Sequence, residues 1–223
     1  MDVLQNIFVS LSSLSYLELM LGFLITATVI IVLEDWRLSL WALLAQYVLV
    51  SLLLARVMPL RVALVKVIVG GMVCVIFYLT ARRVHWGREP TIKGAHHELG
   101  PVGTMLDIFP MNLWFRLLLV LLAAVVSYAL GTRHPFVDHP LGISQACYWL
   151  VGIGLLTVVL SRDPFKVGLG LLTFQAGFEV LFATLEKSLS VAALLGVVNI
   201  LMALAISYLT TAQLTVIVEE DRR

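Results

Sequence analysis

DPFKVGLGLLTFQAGFEVLFATLEK, residues 163–187, is an apolar run long enough to cross a bilayer, and it carries Gln175 and Glu179 in its interior. Side chains four apart stack on one face of a helix, so these two polar groups lie one turn apart. Glu186 points roughly the same way but sits at the end of the run. A carboxylate at membrane depth costs several kcal/mol unless it is protonated or paired. Two readings follow for Glu179: a polar contact that glues helices together, or a group that handles protons. The second is the default for an ionisable residue inside a membrane. Gly168, Gly170 and Gly177 let a neighbouring helix come close.

The rest of the chain is built from similar runs. Over 223 residues it is 61% hydrophobic and 13% charged, with a mean hydropathy of +1.01. That composition specifies an all-α polytopic membrane protein. Barrel strands would alternate apolar and polar residues, and these runs do not. Windows able to span ~30 Å of hydrocarbon lie at about 16–34, 38–56, 61–81, 113–131, 143–161, 165–185 and 189–215, which makes seven helices. The opening MDVLQNIFVSLSSLSYLELM has no basic start and no small-residue cleavage site, so it reads as the approach to the first span. Short links, EDWR and VMPLR among them, make consecutive helices antiparallel neighbours. The one long connection, about 82–112, is rich in proline, glycine and histidine.

Basic residues set the orientation. Arg37, Arg82, Arg83, Arg88, Lys93, Arg116, Arg162, Lys166, Arg222 and Arg223 fall on one side, against Arg56, Arg61, Arg133 and Lys187 on the other. The richer side is cytoplasmic by the positive-inside rule, which puts the long loop and the C-terminus inside and the N-terminus outside.

The chain also repeats. ALLAQYVLVSLLLA (42–55) aligns with GLLTFQAGFEVLFA (170–183), and FYLTAR (77–82) resembles SYLTTA (207–212) with two residues of slippage. Residues 1–81 therefore form a first three-helix unit and 143–223 a second. Between them, 82–142 holds a cytoplasmic loop, a linker helix at 113–131 and an external loop. An odd helix between two three-helix units gives both the same orientation, a parallel repeat. Such units are expected to superpose by rotation about an axis along the membrane normal.

Few other residues carry chemistry. Lys66, five residues into the third span, either snorkels to the outer surface or faces protein. Gly70 and Gly71 favour close packing there. A desolvated lysine can exchange its proton. Gln46 and Tyr47 occupy the repeat positions of Phe174 and Gln175, and Ser51 that of Glu179. Asn199 is a candidate hydrogen-bond partner in the last helix. Lys66 and Glu179 are thus expected as two stations of a proton path. If they stand about 10 Å or more apart, ordered waters or Gln175, Tyr47 and Asn199 must bridge them. Glu18, Glu34 and Asp35 read as solvated or interfacial charges. The pairs His96–His97 and His134–His139 lack metal-ligand spacing, and Cys74 and Cys147 read as packing residues. No nucleophile elbow, phosphate loop, haem or iron–sulfur pattern is present, so neither a catalytic centre, a metal site nor a cofactor is expected. No basic stretch suits nucleic acid.

DWRLSLWALLAQYVLVSLL, ALVKVIVGGMVCVIFYLTAR and RDPFKVGLGLLTFQAGFEVLFATL, about half the chain, resemble the hydrogenase-4 membrane component E family. That family is similar to the small three-helix K component of respiratory complex I and to the C-type component of multi-subunit sodium/proton antiporters. The resemblance implies a non-redox membrane-arm subunit of a complex I-like or group 4 hydrogenase-like oxidoreductase. Its partners would be antiporter-like membrane subunits and a peripheral redox module, in a bacterial or archaeal inner membrane. The family's third-helix lysine matches Lys66. Its sixth-helix glutamate falls on Gln175, which cannot ionise, with Glu179 one turn later, and a last-helix aspartate falls near Val198, beside Asn199. Either Glu179 takes over as the carboxylate, or this chain is a structural spacer. A structural or assembly subunit and an independent small-solute transporter are the alternatives.

Overall fold

The computed structural model describes residues 16–33, 35–83, 113–134, 141–161, 163–186 and 188–220. Seven helices make up these segments: α1 Tyr16–Val32, α2 Trp36–Leu54, α3 Leu60–Arg83, α4 Leu113–Arg133, α5 Leu141–Leu160, α6 Pro164–Leu185 and α7 Leu189–Glu220. All seven expected spans are present as helices. Six of them are long and apolar enough to cross a membrane. The exception, α1, has 17 residues and measures roughly 26 Å at 1.5 Å per residue. The long connection beyond Arg83, with His96 and His97, lies outside the described residues, as do Glu34, His139 and the last three residues.

Local chemistry sets the ends. Asp163 precedes α6 in extended conformation and its Oδ1 accepts a hydrogen bond from the Phe165 amide at 3.1 Å, with Pro164 in the first turn where no amide hydrogen is needed. At the other end the Glu186 amide donates to the Phe182 carbonyl and the backbone then turns extended. The α2–α3 turn closes when the Met58 amide donates to Leu54 at 2.8 Å, and Pro59 starts the next helix. The last helix runs past the expected 215 to Glu220 because nothing in LTVIVEE breaks it.

Packing places the helices in two rows. Within the rows α1 packs on α2, α2 on α3, α5 on α6, and α6 on α7. Across the rows α1 packs on α5, α2 on α6, and α3 on α7. Gln46 meets Thr173 and Thr80 meets Ser207, each pair 127 residues apart. Val69 against Gly196 and Tyr16 against Gly142 keep the same separation to within a residue. Corresponding helices therefore lie side by side, in the same order. A half-turn about the membrane normal would instead set α1 against α7, which is not a packed pair here. The linker helix α4 closes the α1–α5 end of the rows.

Glycines set the closest approaches. A Cβ on Gly154 of α5 would strike the backbone of Phe174 and the carbonyl of Gly170, and one on Gly177 would meet the Val151 amide at 2.8 Å. Gly168 faces α7 and α3 at Ile206 and Phe77. Gly70 gives the close packing expected there, with the Tyr47 ring against it, but a Cβ on Gly71 would meet no neighbouring helix within 4 Å. Consecutive residues on a helix point about 100° apart, so only one of the pair can face α2. Leucines and valines on α4 and α7, among them Leu121, Val125, Leu194 and Leu201, are exposed, as a lipid-facing surface requires.

Candidate functional site

Helices α2, α3, α6 and α7 form a quadrilateral whose four sides are all packed: α2–α3, α3–α7, α7–α6 and α6–α2. Long polar side chains meet on its diagonals. From α3, Lys66 Nζ donates to Glu179 Oε2 on α6, forming a salt bridge. Along the other diagonal the Tyr47 hydroxyl of α2 donates to Asn199 Oδ1 of α7 at 3.5 Å. Asn199 joins the two, since its Nδ2 donates to Glu179 Oε1. The Lys66 ammonium also lies 4.7 Å from the centroid of the Tyr47 ring, within cation–π range. All four residues are buried, Lys66 at 6%, Glu179 at 5%, Tyr47 at 2% and Asn199 at 0% exposure.

Each group is held by its element. Tyr47 can lie flat against α3 only because Gly70 has no side chain. Lys66 stands six residues inside α3 and Glu179 six before the end of α6, so both sit about 9 Å from the membrane end bearing the α2–α3 and α6–α7 turns. Lys66 points into protein, and its snorkelling alternative is set aside. The two expected stations are not separate: they touch, and no bridge of water or of other side chains is needed between them. The reason is the diagonal geometry, since two long side chains reach across a gap that four packed helices leave at their centre. Gln175 is buried one turn below Glu179 but joins none of these bonds. The site's carboxylate is therefore Glu179.

Gln46 and Ser51, marked by the repeat, bond elsewhere than to the pair. Thr173 Oγ1 donates to Gln46 Oε1 at 3.4 Å, and Ser51 Oγ donates to the Ala63 carbonyl at 2.6 Å. The hydroxyls of Thr80 and Ser207 join α3 to α7. Single hydroxyls in apolar helices have no telling spacing, because each equally bonds its own helix, as Thr80 also does to Ile76. Cys147 Sγ lies 3.3 Å from the Gly177 carbonyl within the packed α5–α6 contact, and no three His, Cys, Asp or Glu side chains converge among the described residues.

A cavity of about 40 Å³ adjoins the pair and runs toward the same membrane end. Lys66, Glu179 and, a turn deeper, Val69 line its inner part, and Glu186 its other end. Chemically, the cluster can keep a proton on either partner of one contact and offers Asn199 and Tyr47 as fixed dipoles beside it. The chain matches no known family profile, no curated protein and no solved structure.

Proposed function

We propose that this chain is a non-redox membrane-arm subunit of a complex I-like or group 4 hydrogenase-like assembly, and that its buried pair hands on protons. One observation carries the reading: Lys66 and Glu179 meet in the interior of four apolar helices, with Asn199 and Tyr47 fixing the carboxylate and the ring around the ammonium. A proton passed from Nζ to Oε2 turns the ion pair into a neutral amine and a neutral acid at the same contact, with no helix displaced. Burying both charges is expensive, and a hydrophobic pair of equal volume would hold the helices at least as well. The resemblance of the α2, α3 and α6 segments to the hydrogenase-4 component E family adds the setting. That setting comprises antiporter-like neighbours, a peripheral redox module, and a bacterial or archaeal inner membrane. The excess of Lys and Arg at one end of the helices supports an external N-terminus and a cytoplasmic C-terminus.

A structural spacer is the second reading, and a specific observation favours it. Lys66, Glu179, Asn199 and Tyr47 satisfy one another, as an interhelical clamp would. A lone transporter is disfavoured, since every described helix is continuous and transporter sites are built on broken ones. Purification of the tagged chain from its own membranes in mild detergent tests the assembly. Antiporter-like subunits and a redox module should co-purify in fixed ratio. Recovery of the chain alone, from membranes in which it is stably folded, would refute membership of such a complex.

A further inference from the structure

The cavity beside the pair has a direction. It reaches Val69, a turn deeper than Lys66, passes Lys66 and Glu179, then Val65, Ala183 and Ala192, and includes Met58 and Glu186, where the α2–α3 and α6–α7 turns lie. Glu186 is exposed and caps α6 seven residues after Glu179, roughly 10 Å along the axis. A water needs about 10–15 Å³ of such space, so 40 Å³ has room for about three, the number that chains hydrogen bonds across that distance. Past the pair come the buried Gln175 and the Gln46–Thr173 contact, and beyond them the interior is apolar. Val73, Phe77, Phe165, Leu169 and Leu172 belong to one buried cluster, sealed by the edge-on contact of Phe77 with Phe165 at 5.3 Å.

We infer that the Lys66–Glu179 pair is served by a one-sided water vestibule, wet at the Glu186 end and stopped by the Phe77–Phe165 cluster at the other. The vestibule rests on the same site as the proposed function but assigns what that reading leaves open: the side from which the pair is reached, and Glu186 as the acid at the mouth. It also favours the proton over sodium as the species delivered. The Lys66 ammonium already occupies the place beside Glu179 where a metal cation would bind, whereas a proton can be taken up without displacing it.

Silver ion, a thiol reagent close to water in size, tests this in sealed vesicles holding the full chain with Cys74 and Cys147 changed to alanine. Ala183→Cys and Ala192→Cys report the vestibule, and Val73→Cys and Leu169→Cys report the far side. Ser188→Cys and Ser161→Cys mark the two membrane ends. Silver added on the Ser188 side should block later maleimide labelling of the vestibule positions after denaturation, while silver on the Ser161 side leaves them free. The Val73 and Leu169 thiols should stay free from both sides. Vestibule thiols that stay free, or that are blocked equally from both sides, would overturn the proposal, as would blocking at Val73 or Leu169. The small substitutions at Ala183 and Ala192 give two independent reporters should one disturb folding, which elution of the variant at the native size checks. One-sided blocking alongside unchanged proton pumping by Glu179→Gln upholds the vestibule while removing the relay, so the two ideas fail separately.

Discussion

Asn199 is the residue on which the site turns. It is fully buried, offers both a donor and an acceptor, and spends the donor on Glu179 and the acceptor on Tyr47. Its part is visible in the sequence only as a polar residue in an apolar helix. Spacing along one helix gives the angle of a side chain but not the rotation of its neighbours. For that reason the common stripe of Gln175 and Glu179 is legible in the sequence, while the direct contact of Glu179 with Lys66 is not. The pair's energetics are open to a cycle of substitutions. Removing one partner leaves a buried charge uncompensated and should cost about 3–5 kcal/mol, whereas replacing both with apolar residues is often neutral or stabilising. Lys66→Met and Glu179→Leu should therefore each lower the thermal midpoint in detergent, with the double variant recovering most of the loss. Additive losses would show that the two side chains do not depend on each other.

Among the elements, α5 and α6 make the closest contact, and glycine is the cause. Gly154 lies against the Phe174 backbone and Gly170 against Gly154 and Thr157, so neither neighbour can yield by rotating a side chain. Gly154→Leu should force the helices apart and cost several kcal/mol, since overpacking against rigid atoms already costs about 1–3 kcal/mol in well-packed cores. Gly71→Ala makes the contrasting case. No atom of another helix lies within 4 Å of the added methyl, and alanine is favoured over glycine in a helix by up to about 1 kcal/mol. That variant should be as stable as the parent or slightly more so. Thermal unfolding of both variants checks the pair, and equal destabilisation would contradict this account of the packing. Helix number and order are legible because each span is a long apolar run, and most edges fall within a few residues. Caps such as Asp163 decide the edges, and hydropathy does not sense them.

At the scale of the molecule, the two rows and the ion pair are linked. Side-by-side placement in the same order brings α3 and α6 to opposite corners of one quadrilateral, and that placement puts the third-helix lysine within reach of the sixth-helix glutamate. The internal repeat hints at this order, since residues near 127 apart meet across the rows and the copies align at nearly that offset. What no repeat could disclose is which faces meet, because that depends on side-chain volumes such as the Tyr47 ring over Gly70. The polar core gives the rows a purpose beyond packing if the pair exchanges protons during turnover. Proton pumping by the reconstituted assembly, with Glu179→Gln and Lys66→Ala made separately, tests that claim most directly. Each variant should assemble and pass electrons yet pump fewer protons per electron pair than the parent. An unchanged ratio in assembled complexes would contradict the relay and leave the pair as a clamp between helices.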